Sequence, residues 1–197
     1  ACAAGKFNDD TMKTAESACK DCAPGRKAPN TGTPECTVCP GGQYQNQNKQ
    51  QSCKSCEKGK YQQSQEQTQC YSCQSGRWQD QTGQLVCKAC LNGQYQVSLG
   101  QQSCTYCQTG KHGSGGTAKT SESSACDVCE EGKYNIYEGY TACTDCPIGR
   151  YMNIGDGTNR LEHDALNDCA ECAAGKYSGN TAQTAESTCQ NCAAGSV

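Results

Sequence analysis

Apolar side chains occupy few fixed places in this sequence, and those places recur. A glycine is followed by Lys, Arg or Gln in ten of eleven copies, and then by an aromatic residue in eight. This alternation predicts a short β-strand with one face inward and the other in solvent. The aromatic residues are Phe7, Tyr44, Tyr61, Trp78, Tyr95, Tyr134, Tyr151 and Tyr177. Lys27, His112 and Val197 replace the aromatic, so we expect the packing there to differ.

Glycines mark two turns in each copy. One lies three positions after each second cysteine: Gly5, Gly25, Gly42, Gly59, Gly76, Gly93, Gly110, Gly132, Gly149, Gly175 and Gly195. A glycine held at one place predicts a positive φ or a chain approach that a Cβ would block. Gly83, Gly100 and Gly139 predict a second turn, each ten residues after the preceding second cysteine. We expect the return strand between that turn and the next cysteine.

Ten Cys-x-x-Cys pairs and the half pair at Cys2 define a tandem repeat, since self-similarity at a fixed period indicates a repeat architecture. First cysteines fall 17 residues apart from Cys19 to Cys104, and later intervals are 22, 17, 26 and 20 residues. We predict one continuous array over 1–197, with units 2–19, 22–36, 39–53, 56–70, 73–87, 90–104, 107–126, 129–143, 146–169 and 172–189. The predicted fold is small, disulfide-rich and irregular all-β: an elongated solenoid or rod of 17–26-residue hairpin repeats with little or no helix.

The composition requires covalent support for such a fold. The chain has 21 cysteines in 197 residues, but only 14 Leu, Ile, Val and Phe together. So little apolar surface cannot offset the entropy of ordering a backbone, whereas this cysteine content is typical of a disulfide scaffold. Disulfides persist in oxidising compartments, so we expect an extracellular or cell-surface location.

Charge and hydropathy narrow the classes of partner. The net charge is −3, and no basic stripe exists to attract phosphates, so nucleic-acid binding is not expected. No apolar run approaches the ~20 residues that cross a bilayer, so no membrane anchor is visible. The chain begins and ends inside a repeat, and we expect it to be a fragment of a longer protein.

Two disulfide pairings fit the spacing, because spacing alone does not fix connectivity. A ladder joins each second cysteine to the next first one: Cys2–Cys19, Cys22–Cys36, Cys39–Cys53, Cys56–Cys70, Cys73–Cys87, Cys90–Cys104, Cys107–Cys126, Cys129–Cys143, Cys146–Cys169 and Cys172–Cys189. It leaves Cys192 to pair beyond the fragment. The rival pairing nests Cys39–Cys53 inside Cys36–Cys56. In the ladder, the inward aromatics would cover the disulfides and the neighbouring repeat.

The unit from Cys172-Ala-Ala-Gly-Lys-Tyr177 to Thr188-Cys189-Gln-Asn-Cys192 resembles the ephrin-receptor-like cysteine-rich repeat of the growth-factor-receptor cysteine-rich superfamily. It is also similar to the first module of tumour necrosis factor receptor repeats. In that module these two cysteines bond to each other, which implies the ladder. Long arrays of this unit resemble tandem-repeat surface coat or filament proteins of protists.

Other chemistries were weighed against the scaffold. Paired Cys-x-x-Cys motifs are also a zinc-ribbon signature, but an acidic chain with an unbroken array offers no division into four-ligand sites. A thioredoxin-type motif needs one such pair at a helix start. In the insert from Tyr151 to Asp168, six oxygen donors suggest calcium, but their spacing matches no established loop. They are Asp156, Asn159, Glu162, Asp164, Asn167 and Asp168. We predict no metal.

Nothing in the sequence indicates catalysis. His112 and His163 are far apart and lack a nucleophile or base partner, so we predict no catalytic residue, no cofactor site and no enzyme activity. The 18 glutamines within residues 43–102 are expected mostly at solvated strand positions, with inter-repeat ladders as an alternative. Ser/Thr-rich runs at 117–124 and 181–188 are plain polar loops or sites for O-linked sugars.

These features predict an extracellular structural protein that forms a rod, surface coat or filament by head-to-tail stacking, with copies of itself as partners. The alternative is a receptor or adhesin ectodomain that binds a protein or glycan. Such a receptor should carry a localised aromatic patch. The extra tyrosines, Tyr71, Tyr106, Tyr137 and Tyr140, are scattered in the sequence, with only the last two close together.

Overall fold

The fold consists of very short antiparallel strands. A computed structural model of the chain describes residues 1–10, 15–152 and 163–193. The strands are β1 Lys6–Phe7, β2 Lys20–Asp21, β3 Arg26–Lys27, β4 Thr37–Val38, β5 Gln43–Tyr44, β6 Lys54–Ser55, β7 Lys60–Tyr61, β8 Tyr71–Ser72, β9 Arg77–Trp78, β10 Lys88–Ala89, β11 Gln94–Tyr95, β12 Thr105–Tyr106, β13 Lys111–Gly113, β14 Cys126–Val128, β15 Lys133–Tyr134, β16 Thr144–Asp145, β17 Arg150–Tyr151, β18 Ala170–Glu171, β19 Lys176–Tyr177 and β20 Gln190–Asn191. The helical segments are α1 Glu122–Ala125 and the 3-10 turns Glu16–Ala18, Leu166–Asp168 and Glu186–Thr188.

Each odd-numbered strand pairs with the even-numbered strand that follows it, so every described repeat is one antiparallel hairpin. The predicted outgoing strand of polar and aromatic residues is confirmed. The predicted position of the return strand is wrong. It begins after the first cysteine of the next pair: Tyr61 pairs with Tyr71, and Lys60 with Ser72. The disulfide and the strand pairing therefore close the hairpin at the same place.

Disulfides close the hairpins along the chain. Nine join the cysteines of the ladder: Cys2–Cys19, Cys22–Cys36, Cys39–Cys53, Cys56–Cys70, Cys73–Cys87, Cys107–Cys126, Cys129–Cys143, Cys146–Cys169 and Cys172–Cys189. Cys90 and Cys104 are disulfide-bonded as well. Cys192 is a free, exposed thiol. The predicted fold class, disulfide-closed all-β hairpin repeats with little helix, is confirmed.

The buried interior consists mainly of these disulfides. Cys22 and Cys36 form a buried cluster on which Phe7 of the preceding repeat packs. Two further clusters have the same design, with Tyr95 on Cys107, Ala125 and Cys126, and Tyr134 on Cys146, Met152 and Cys169. The expectation that aromatics cover the disulfide of a neighbouring repeat is confirmed. Sulfur and one ring per repeat supply the contacts that a hydrophobic core would otherwise give.

Long repeats add a single helical turn directly before their closing cysteine. α1 ends at Ala125, immediately before Cys126, and the 3-10 turns end immediately before Cys19, Cys169 and Cys189. In α1, the Ser121 hydroxyl accepts a hydrogen bond from the Ser124 N–H and caps the turn. The extra residues thus leave the hairpin itself unchanged.

By proximity of Cα atoms, the chain divides into two compact units. One consists of Ala1–Ala89 and Ser98–Cys104, and the other of Cys90–Val97 and Thr105–Val197. Every inter-repeat contact described below lies within one of them. Within the described part of the chain, no helix has the length and apolar character to cross a membrane.

Candidate functional site

Three backbone hydrogen bonds join each repeat to the next. In the first, the glycine after a cysteine pair donates its N–H to the residue that follows the next aromatic, as Gly25 does to the Gln45 carbonyl over 2.7 Å. In the second, that residue donates onward, as Gln45 does to the Gln67 carbonyl over 3.0 Å. In the third, the mid-loop residue donates back, as Glu66 does to the Cys39 carbonyl over 2.8 Å.

The same bonds recur along both units, here written donor first. The first recurs at Gly5–Ala28, Gly42–Gln62, Gly59–Gln79, Gly110–Asn135 and Gly149–Ser178. The second recurs at Ala28–Gln50, Gln62–Gln84, Gln79–Gln101, Gln96–Lys119, Gly113–Tyr140, Asn135–His163 and Met152–Gln183. The third recurs at Lys49–Cys22, Gly83–Cys56, Gly100–Cys73, Ala118–Cys90, Gly139–Cys107 and Ala182–Cys146. Each bond contributes a net stabilisation of about 1 kcal/mol, and their repetition fixes one repeat against the next in a constant register.

The mid-loop donor adopts a left-handed backbone conformation. The predicted turn is confirmed at Gly83, Gly100 and Gly139, whose φ values are 70°, 69° and 73°. The same place is held by non-glycine residues elsewhere: Lys49, Glu66, Ala118 and Ala182, with φ between 56° and 59°. Because side chains disfavour this conformation, the third bond must hold these residues in it.

The glycine after each cysteine pair satisfies both sequence-based explanations. Gly42 has a φ of 78°, and a Cβ on it would lie 2.1 Å from the carbonyl oxygen of Gly83. Gly59 stands in the same relation to Gly100, at 2.0 Å. Gly42 and Gly83 belong to repeats separated by one other, so each repeat contacts the second repeat after it as well as the next. Any side chain here would push two backbones apart.

The residue after the aromatic is the most buried side chain of the unit-1 repeats apart from cysteine. Gln45, Gln62 and Gln79 are 1%, 3% and 2% exposed, so the expectation of solvated positions is wrong for them. The Gln62 side chain donates to the Gln69 carbonyl over 2.8 Å and accepts from the Ser64 N–H over 3.0 Å. This amide therefore closes the loop from inside, where an unpaired polar group would be costly.

Asn135 plays the same part in the second unit. It is 2% exposed, its amide donates to the Lys111 and Tyr137 carbonyls, and it accepts from the Tyr137 N–H. The sequence did carry a signal for this position. An amide follows the aromatic in six copies, at Asn8, Gln45, Gln62, Gln79, Gln96 and Asn135.

A lysine covers the aromatic ring in alternate repeats of the first unit. The Lys88 ammonium lies 4.6 Å from the Trp78 ring centre and 2.8 Å from the Asp80 carboxylate. Hydrogen bonding to Lys88 lowers the pKa of Asp80. Lys54 similarly lies over Tyr44, and Lys20 over Phe7. The cation–π contacts arise because each lysine is the cross-strand partner of its aromatic residue.

Three of the four extra tyrosines gather in the second unit. Tyr137 and Tyr140 stack with ring centres 4.8 Å apart and planes inclined by 22°. The Tyr106 ring packs on Gly139 between them, where an added Cβ would lie 2.4 Å from Cδ1 of Tyr106. The expectation that only the last two lie close is wrong, because the mid-loop turn returns to the second repeat before it. All three rings are about half exposed.

Tyr71, the fourth extra tyrosine, lies elsewhere, in the first unit. Its ring centre is 6.3 Å from that of Tyr61, its cross-strand partner, and the two ring planes are inclined by 48°. Tyr71 is 50% exposed.

The residues considered for metal binding or catalysis do not form a common site. Asp156, Asn159 and Glu162 lie outside the described residues. Among the residues that are described, no group of three His, Cys, Asp or Glu side chains is arranged to hold a metal ion. The Asp168 carboxylate accepts from the Ala165 N–H over 2.8 Å.

The two histidines occupy framework positions of their repeats. His112 lies in β13 in the place of the aromatic residue and is half-buried. His163 follows the long insert, is 6% exposed, and its carbonyl accepts the Asn135 N–H over 2.7 Å. The sequence matches no protein-family model and no curated protein.

Proposed function

We propose that the chain is an extracellular structural protein whose repeats build a rod, surface coat or filament by head-to-tail stacking. The observation that carries the proposal is the recurring set of three inter-repeat hydrogen bonds. Each repeat presents donors and acceptors to the next in the same register, which is the geometry of an open, extendable assembly. A non-enzymatic role, copies of the chain as partners and a cell-surface location are parts of the same proposal.

Two general features support this setting. Ten disulfide-closed units require an oxidising compartment, as found outside cells. The likeness of the Cys-x-x-Gly-Lys-Tyr unit to the growth-factor-receptor cysteine-rich superfamily also fits, and we propose that membership on the sequence resemblance.

The test is electron microscopy of the oxidised protein over a concentration series. Cys192 is alkylated first, because its exposed thiol could otherwise link chains through a disulfide. We expect particles that lengthen with concentration, and a reduced sample that loses them. Compact, isolated particles at the highest concentration would rule out the filament.

The second candidate is a ligand-binding ectodomain, favoured by one observation. The gathering of Tyr106, Tyr137 and Tyr140 gives the second unit the localised aromatic patch expected of a receptor or adhesin. Glycan and protein arrays probed with the wild type and with a Tyr106→Ala variant would test it. A ligand retained equally by both proteins would exclude this patch as the binding site.

A further inference from the structure

The stacked pair Tyr137 and Tyr140 is placed by the turn of its repeat. In the repeats with a described left-handed mid-loop residue, the residue after it is Gln50, Gln67, Gln84, Gln101, Lys119, Tyr140 or Gln183. All five glutamines bend back over the turn, and each amide donates to the carbonyl of the residue before the left-handed position. The turn therefore directs this side chain backwards, which is where Tyr140 meets Tyr137.

The backbone on both sides of the pair is fixed. The Tyr137 N–H donates to the Asn135 side chain over 3.1 Å, and the Tyr137 carbonyl accepts from the same amide over 2.8 Å. The Tyr140 carbonyl accepts the Gly113 N–H over 2.9 Å, and Gly139 donates to the Cys107 carbonyl over 2.8 Å. The two phenols are thus held beside each other by the same contacts that join the repeats.

Neither ring is needed to fill the interior. Tyr137 is 53% exposed and Tyr140 is 52% exposed, whereas the aromatic of this repeat that packs on a disulfide cluster is Tyr134. Two positions before the left-handed residue, where Tyr137 stands, other repeats carry small or polar residues such as Gln47 and Ser64. The pair is accessible to a soluble oxidant, and its rings are already in contact.

We propose that Tyr137 and Tyr140 are an oxidative cross-linking site that forms an intrachain dityrosine bond. The proposal rests on the extracellular setting of the proposed function. The oxidant is hydrogen peroxide acting through a haem peroxidase. Each phenol loses one electron and one proton, and the peroxide is reduced to two water molecules. The two radicals join through ring carbons ortho to the hydroxyl groups, and the hydrogen on each joined carbon moves to the phenoxyl oxygen to restore both phenols.

The tyrosines of the first unit provide a matched control. Tyr61 and Tyr71 are cross-strand partners whose ring centres are 6.3 Å apart, with planes inclined by 48°. Tyr71 is 50% exposed, nearly as much as Tyr137 and Tyr140. Strand pairing holds these two rings apart, so equal access to the oxidant should give far less coupling.

The experiment treats dilute, Cys192-alkylated protein with peroxidase and hydrogen peroxide, and then isolates the monomer. Alkylation is needed because a free thiol would reduce phenoxyl radicals. We expect dityrosine fluorescence in the monomer and a tryptic peptide 134–150 that has lost two hydrogen atoms. Tyr137→Phe and Tyr140→Phe should each lower the yield about tenfold, because coupling then loses its preorganised partner. Tyr71→Phe should leave the yield unchanged.

Several outcomes would overturn the proposal: no dityrosine, dityrosine only between different chains, or an undiminished yield in Tyr137→Phe. Both tyrosine variants keep an aromatic ring at an exposed position, so their folding should match that of the wild type. Because the readout is taken on monomers, it does not depend on filament formation. A failure of the cross-link is thus distinguishable from a failure of the structural role.

Discussion

Gly59 and Gly100 allow the close approach between repeats to be tested with one pair of substitutions. Both glycines have positive φ, 76° and 69°, so alanine is disfavoured by the backbone at either position. They differ in the space available. A Cβ at Gly59 would lie 2.0 Å from the Gly100 carbonyl oxygen, whereas a Cβ at Gly100 has no neighbour closer than the Ser72 hydroxyl at 3.5 Å. Comparing Gly59→Ala with Gly100→Ala therefore isolates the cost of the contact.

The structure sets the magnitudes. The left-handed conformation costs alanine about 1–2 kcal/mol at each position. At Gly100 no further cost is expected, since Ala118 and Ala182 already occupy the corresponding place. At Gly59 the backbones must separate by more than 1 Å, because ordinary contact begins at 3.4 Å. The Gly59 N–H would then lose the Gln79 carbonyl, at a further cost of about 1–3 kcal/mol. We expect totals of about 3–5 kcal/mol for Gly59→Ala and about 1–2 kcal/mol for Gly100→Ala.

The assay combines denaturant unfolding of the oxidised proteins with amide hydrogen exchange, since an array of repeats need not unfold in one step. Gly59→Ala should increase exchange at Cys73, whose N–H donates to the Gly59 carbonyl over 2.8 Å. Gly100→Ala should leave that amide protected. Equal destabilisation by the two substitutions would refute the close approach and the inter-repeat coupling argued from it.

Three further predictions concern single groups. Gln62→Met should destabilise the loop by about 1–3 kcal/mol through its two lost hydrogen bonds, measured by denaturation against the exposed Gln65→Met, and equal stability of the two would contradict the buried role. Thiol titration of the unreduced, denatured protein should find one thiol, Cys192, and a chelator should release none, whereas many free thiols would contradict the disulfide scaffold. Lys88 lowers the pKa of Asp80, so the bridge should stabilise the fold above the unfolded pKa and fail as pH falls through the lower folded pKa; an NMR titration that finds no downward shift, or one that persists in Lys88→Ala, would disprove this.

The sequence was informative where one residue type has one use. Paired cysteines at a constant interval predicted the repeats, and the glycine after each pair predicted a positive φ that Gly42 and Gly59 confirm. The mid-loop turn was recognised only where glycine marks it. At Lys49 and Glu66 the same conformation is imposed by a tertiary hydrogen bond, which no local pattern reveals.

The candidate surfaces were harder to predict because they depend on contacts between repeats. Gln62 was expected in solvent because glutamine is usually exposed, but its amide replaces the backbone partners that the loop lacks. The return strand was misplaced since nothing in Tyr71 or Ser72 distinguishes a strand from a spacer between two cysteines. Tyr106 meets Gly139 only because each repeat reaches the second one after it.

The disulfide at the base of each hairpin has a mechanical consequence. The residues from Cys39 to Cys53 would span about 45–50 Å if drawn out fully, but their Cα atoms are held 5.7 Å apart. Tension applied along the chain therefore passes through sulfur and then through Lys54 and Ser55, bypassing the loop. An oxidised array should lengthen little under force and give up its hidden length only when a reductant opens the bridges, which would make it a cord whose extensibility is set by redox conditions.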